Sequence, residues 1–163
     1  MSSSASLIKS LFLCAVFFFL GFLFYPLFYQ FALPGVTGIQ YNIDITTLGK
    51  NQDLFGMVIA MIPVFLLLTW RLIPLYDYHK KTFSALIVLV CMAFATCLRH
   101  KILAGDFTNM VQSQSDTSYM IDISFEQLNF EWYLAGGLVS GCLISYLAFH
   151  NTSVRHRTFM RSE

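Results

Sequence analysis

Charged residues are scarce in this sequence of 163 amino acids. Asp, Glu, Lys and Arg together make up 12% of it, whereas 56% is hydrophobic and 17% is aromatic. Soluble domains usually carry about 25% charged residues, so this chain has too little polar surface to cover a globule in water. Disordered chains are poor in aromatic and β-branched residues, which excludes that class, and a net charge of +1 leaves no basic surface for nucleic acid. These deficits predict an integral membrane protein with a single domain over residues 1–163.

The common motifs of catalysis and metal binding are missing as well. The sequence contains no C-x-x-C, P-loop, G-x-S-x-G or H-E-x-x-H pattern, each of which supplies the reactive groups of a known class of site. All four cysteines lie inside apolar stretches, where we expect them to pack as small apolar residues. We therefore predict no catalytic residues, no metal site and no cofactor.

Long apolar stretches are what the sequence has in abundance. A helix needs about 20 residues to cross the hydrocarbon core of a bilayer, and lipid excludes open sheet edges. Four stretches meet that length, at residues 11–33, 54–76, 82–103 and 132–149. The sequence predicts an all-α protein whose four transmembrane helices contact the lipid bilayer.

The basic residues predict how these helices are oriented. With the N-terminus in the cytoplasm, seven Lys and Arg residues lie on the cytoplasmic side and three on the other side, as the positive-inside tendency favours. We therefore expect a multi-pass protein with both termini cytoplasmic. The cytoplasmic seven are Lys9, Arg71, Lys80, Lys81, Arg155, Arg157 and Arg161, and the other three are Lys50, Arg99 and Lys101.

The two extracytoplasmic loops share a short pattern. The first contains Ile43-Asp44-Ile45-Thr46 and the second Ile121-Asp122-Ile123-Ser124, and each is followed at the same distance by Asn-x-Asp or Asn-x-Glu. This pattern predicts two parallel helix pairs that repeat one another, with Asp44 and Asp122 as repeated loop acids. The alternating apolar residues suit short strands, which would pair as a β cap over the outer face. Chance similarity is the alternative interpretation.

Small residues recur at four-residue spacing along the fourth span. Gly137, Gly141 and Ser145 form the stripe, and Gly136 and Ser140 lie beside it. Small residues allow close helix approach in lipid, where packing replaces the hydrophobic drive. We predict a helix-packing interface at these five residues, with its partner in this chain or in another.

Ionisable residues gather near the outer ends of the spans. Arg99, His100 and Lys101 lie near the end of the third span, and Asp53 and Glu131 lie near the starts of the second and fourth. We predict that they form an extracytoplasmic charged cluster, because ionisable residues at membrane depth mark functional sites by default. Structural pairing of Arg99 with either carboxylate is the first interpretation, and an anion or proton pathway is the second.

Pro26-Leu27-Phe28, Phe31, Gly35 and Gly38 lie at and just beyond the end of the first span. This arrangement resembles the end of the membrane anchor in copper chaperones that assemble cytochrome oxidase. Members of that family continue into a large β domain, which has no counterpart in this sequence, and their motif carries a cysteine where this chain has Ala32. The resemblance implies no site residue here.

The predicted function is a non-catalytic accessory or assembly subunit that packs against other integral membrane subunits. It is based on the aromatic residues that surround the first span, the small-residue face of the fourth span and the short loops. The alternative is a small transporter or channel, a homo-oligomer with Arg99 and His100 at its extracytoplasmic mouth. A membrane enzyme acting through the loop acids has no constellation of residues behind it.

Overall fold

A computed structural model describes most of the chain, namely residues 3–35, 39–44, 48–73, 78–112, 119–124 and 128–159. Four helices in it are long and apolar enough to cross a membrane. This confirms the predicted four-span, multi-pass membrane architecture. The elements, in chain order, are α1 (Ser3–Ala32), β1 (Ile39–Asp44), α2 (Leu48–Leu72), α3 (Tyr78–Gln112), β2 (Tyr119–Ser124) and α4 (Phe130–Phe159).

The helices continue past the spans expected from the sequence. Helix α3 has 35 residues, which is about 52 Å at a rise of 1.5 Å per residue, whereas a hydrocarbon core is about 30 Å thick. Helix α2 begins at Leu48, six residues before the expected start. Hydropathy identifies only the apolar part of a helix, which contacts lipid. The helix itself continues into the polar residues on either side, because its backbone hydrogen bonds do not depend on apolar side chains.

The helices form two antiparallel pairs, α1 with α2 and α3 with α4. Glycine brings the partners together in both. A Cβ atom at Gly21 would lie 3.0 Å from the Cα of Gly56, and one at Gly141 would lie 2.7 Å from the Cα of Val88. Neither contact leaves room for a larger residue without movement of the helices. The two pairs meet where α2 packs against α4.

The strands β1 and β2 pair in parallel as a two-stranded sheet. Each strand precedes the second helix of its pair, so parallel strands lead into two helices that lie side by side. The register places Asp122 opposite Asn42 and Asp44 opposite Ser124. The pairing is therefore offset by two residues from the repeated sequence pattern, and an offset of two preserves the alternation of the strands.

Aromatic side chains join the helices at the end nearest the strands, which we call the strand-proximal end. The ring centroid of Phe28 in α1 lies 4.8 Å from that of Phe55 in α2 and 5.7 Å from that of Phe130 in α4. Leu103 and Phe107 of α3 belong to the same buried cluster. All four helices thus contribute to one apolar core at this end.

A chain of polar side chains joins three helices at the opposite end. Trp70 of α2 donates a hydrogen bond of 3.2 Å from Nε1 to the hydroxyl of Ser84 in α3. The hydroxyl of Ser145 in α4 donates to the same oxygen at 2.7 Å. Ser84 and Ser145 are fully buried, so these bonds satisfy groups that lipid cannot solvate.

Candidate functional site

A buried carboxyl group lies at the strand-proximal end of α4. Glu131 is 7% exposed, and its Oε1 accepts a hydrogen bond of 3.2 Å from the Tyr25 hydroxyl of α1. The buried side chain of Asn51 in α2 lies within hydrogen-bonding reach of the same hydroxyl. We call these three residues the carboxyl cluster. It joins three helices through polar groups inside an otherwise apolar region.

Local structure explains why a carboxyl group is tolerated here. Glu131 is the second residue of α4, where the positive end of the helix dipole favours a negative charge. Asn129, just before the helix, has a φ of 52°, a left-handed conformation in which Asn is enriched. The rings of Tyr29 and Phe55 lie 6.3 Å and 5.3 Å from the Tyr25 ring. These rings hold the phenol in place beside the carboxyl group.

Two basic side chains of α3 hold the neighbouring chain segments. Arg99 donates a hydrogen bond of 2.7 Å from Nε to the Leu128 carbonyl, and its Cζ lies 5.4 Å from the ring centroid of Tyr133. His100 Nδ1 lies 2.8 Å from the Ala32 carbonyl, which can only accept, so this nitrogen donates. Ala32 ends α1, where the last carbonyls have no partner within the helix. These contacts tie α3 to the end of α1 and to the segment that enters α4.

The five residues of the predicted charged cluster lie in the strand-proximal parts of α2, α3 and α4. Arg99, His100 and Glu131 have the separate contacts given above, and the side chains of Lys101 and Asp53 are exposed. Pairing of Arg99 with Asp53 or Glu131 stays a prediction. The side chains of the repeated loop acids, Asp44 and Asp122, lie outside the described part of the structure.

The five small residues of α4 divide between two faces. Gly137, Gly141 and Ser145 face α3 of the same chain, and a Cβ atom at Gly137 would lie 2.7 Å from the Cα of Met92. Gly136 faces open space, with no atom within 4 Å of an added Cβ. Ser140 is exposed, and its hydroxyl donates to the Gly137 carbonyl at 3.1 Å.

The second face opens onto a groove of about 570 Å³ between α3 and α4, which we call the α3–α4 groove. Gly136, Ser140 and Ala95 line this groove together with Gly137, which lies at the boundary between the two faces, and Trp132 and Tyr133 line it near one end. The small residues of α4 were visible in the sequence, where they predicted close packing. The groove could not be predicted from them, because it also depends on which residues of α3 lie opposite.

The sequence pattern did not identify Tyr25 or Asn51 as candidate site residues. Tyr25 is one of many aromatic residues in the first span, and Asn51 belonged only to the repeated loop pattern. Their importance appears only when α1, α2 and α4 are brought together. The polar side chain of Asn51 at the edge of a span was the one feature of the sequence that could have indicated a buried polar contact there.

No family model, curated protein or solved structure matches the chain. Among the described residues, no group of three or more His, Cys, Asp or Glu side chains is placed to hold a metal ion.

Proposed function

We propose that this protein is a non-catalytic accessory or assembly subunit of a larger integral membrane complex. The observation that carries the proposal is the outward face of α1. Phe12, Phe19 and Phe31 are 72%, 64% and 84% exposed, and only 11% of the most apolar stretch of α1 is buried. Aromatic residues are enriched in protein interfaces, so this face suits contact with a partner subunit.

The contacts of the basic residues support the same proposal. Arg99 and His100 bond to the carbonyls of Leu128 and Ala32, which is the use expected of residues that hold a fold together. A small transporter or channel is the second candidate, and it is favoured by Glu131, an ionisable residue buried in a span. That candidate predicts solute or ion flux in proteoliposomes that changes in an Arg99→Gln variant.

We also propose that both termini are cytoplasmic and that the paired strands form a cap on the extracytoplasmic side. Arg71 and Lys80 lie at the ends of α2 and α3 remote from the strands, which agrees with a basic cytoplasmic side. Tyr41 of β1 donates a hydrogen bond to the Pro34 carbonyl, and its ring lies 5.7 Å from that of Phe107. These contacts support a cap seated on the projecting part of α3.

The test is extraction of the protein from its own membrane in a mild detergent, with measurement of native mass and identification of the chains that copurify. We expect a stoichiometric set of other subunits. A triple variant, Phe12→Leu, Phe19→Leu and Phe31→Leu, keeps the face apolar and lipid-compatible but removes the aromatic rings. We expect it to lower the partner content about tenfold, because a few aromatic anchors usually carry most of the binding energy.

The matched control is Phe83→Leu, which makes the same change at an exposed position of α3 and should leave the complex intact. A free monomer or homo-oligomer in the unmodified protein would contradict the proposal. Equal partner content in the triple variant and in the control would show that α1 contacts only lipid.

A further inference from the structure

The α3–α4 groove has the dimensions of a binding site for a narrow molecule. Its volume of about 570 Å³ lies within the range of about 300–1,000 Å³ that is typical of small-molecule sites. Along α4 the groove extends from Trp132 to Ile144, which is about 18 Å of helix. A helix of that length and about 10 Å in diameter occupies about 1,400 Å³, so a single extended chain fits the groove better than a helix does.

The lining of the groove selects an apolar occupant. Apart from Ser140, it is lined by Gly, Ala, Cys, aliphatic and aromatic residues. Two hydroxyl groups belong to it: that of Ser140 already donates to the Gly137 carbonyl, and that of Tyr133 belongs to the end beside Trp132. Because the groove lies on transmembrane segments, the apolar chains available to it are the acyl chains of lipids. Acyl chains gain no hydrophobic free energy on leaving other lipids, so selectivity must come from shape and from charge.

A positive charge lies at one end of the groove. Leu98, Trp132 and Tyr133 line this end, and Arg99 follows Leu98 with its guanidinium 5.4 Å from the Tyr133 ring centroid. A guanidinium is always charged, so Arg99 attracts a phosphate electrostatically while its Nε donates to the Leu128 carbonyl. Trp and Tyr are enriched at the level of lipid head groups, which places this end of the groove at the membrane surface. The opposite end, at Ile144, lies deeper in the span.

We propose that the α3–α4 groove binds an anionic phospholipid, with one acyl chain along Gly136 and Ala95 and the phosphate beside Arg99. This inference is independent of the accessory-subunit proposal, because it concerns the outer face of α3 and α4 and not α1. It assigns the open small-residue face of α4 to lipid recognition, while the other small-residue face packs against α3.

The two tryptophans of the chain allow a direct test. Trp70 is hydrogen-bonded to Ser84 at the opposite end of the helices, and Trp132 is 70% exposed beside the groove. A Trp70→Phe variant leaves Trp132 as the only reporter. In vesicles with increasing fractions of brominated phosphatidylglycerol or brominated phosphatidylcholine, we expect about five-fold stronger apparent binding of the anionic lipid, the effect of about one basic residue near a head group.

Variants in the same background separate the groove from the charge. Gly136→Leu fills the groove, where an added side chain meets open space. It should reduce the preference to less than about two-fold, because the displaced acyl chain no longer holds the phosphate close enough to Arg99 for the full effect of its charge. Gly105→Leu is the matched control, since it too meets open space on a helix but lies outside the groove. Arg99→Gln should abolish the preference for the anionic lipid, whereas Arg99→Lys, which keeps the positive charge, should retain most of it. Lys101→Gln removes a positive charge at an exposed position and should leave the preference unchanged.

Three results would overturn the proposal. The first is equal quenching of Trp132 fluorescence by the two brominated lipids in the Trp70→Phe protein, which is the parent of the other variants. The second is an undiminished preference in Gly136→Leu, which would mean general attraction of anionic lipid to Arg99 without use of the groove. The third is a second protein chain, either a copy of this one or a partner subunit, that is present in the native mass of the parent and lost from Gly136→Leu.

Discussion

The hydrogen bond between Tyr25 and Glu131 joins residues 106 positions apart. A buried polar group without a partner costs far more in an apolar environment than a hydrogen bond gains in water. The carboxyl group therefore depends on the phenol beside it. At the scale of single residues, this pair shows most clearly how α1 is positioned against α4.

Tyr25→Phe removes the hydroxyl and leaves the carboxyl group of Glu131 in place. We expect the free energy of unfolding in mild detergent to fall by about 1–2 kcal/mol, the upper part of the range for hydrogen bonds between transmembrane helices. Glu131→Gln keeps an oxygen that accepts from Tyr25 and should cost less. Reversible unfolding followed by circular dichroism measures both changes.

The control for this prediction is Tyr78→Phe, which makes the same chemical change at an exposed residue at the start of α3. It should change the free energy of unfolding by less than about 0.5 kcal/mol. A cost for Tyr25→Phe no greater than that of Tyr78→Phe would mean that the carboxyl cluster does not support the contact between α1 and α4.

At the scale of elements, α4 shows how adjacent glycines serve different purposes. Gly137 and Gly141 lie against the backbone of α3, with an added Cβ 2.7 Å from a Cα atom in both cases, whereas Gly136 faces open space. In lipid, the approach of two helices depends on such close packing. One helix can therefore present a crowded face and an open face through residues of the same type.

Gly141→Ala should destabilise the protein by about 1–3 kcal/mol, the usual cost of overpacking, because Val88 and its backbone cannot yield without moving α3. Gly136→Ala should be neutral or stabilising by up to about 1 kcal/mol, since alanine is the better helix former. Both are measured by the same unfolding experiment. Equal effects of the two substitutions would contradict the packing described for α3 and α4.

At the scale of the whole molecule, two helix pairs lie side by side with their strands paired. This arrangement places both strands at one end of the helices and the start of α3 at the other end. Since the helices are long enough to cross a membrane, the two ends lie on opposite sides of it. The proposed orientation assigns the strands to the extracytoplasmic side and the start of α3 to the cytoplasm.

Cysteine accessibility in intact cells tests that orientation. In a background without the four native cysteines, Asn42→Cys reports on β1 and His79→Cys reports on the start of α3, both at exposed positions. A maleimide that cannot cross membranes should label Asn42→Cys in intact cells and His79→Cys only after permeabilisation. The reverse pattern would show that both the termini and the strands lie on the opposite sides.

The sequence by itself determined the membrane class and the number of spans. Long apolar stretches and a low content of charged residues predict transmembrane helices, because each residue has its own free energy of transfer from water to lipid and these free energies add along the stretch. It also indicated where α4 packs closely, since Gly137, Gly141 and Ser145 recur at four-residue spacing, and a stripe of small residues allows close helix approach in lipid. Transfer cost and residue size are properties of single residues, and they can be added along the chain.

The tertiary structure alone decided which residues meet. The partnership of Tyr25, Asn51 and Glu131, the offset register of β1 and β2, and the assignment of Gly136 to a groove all depend on the relative placement of distant segments. An aromatic residue in a span has the same hydropathy whether it lies on the outer surface of the helices or beside a buried carboxyl group. Only the packing of α1 and α3 around α2 and α4 distinguishes these outcomes, because a contact is a property of two residues and their positions in space.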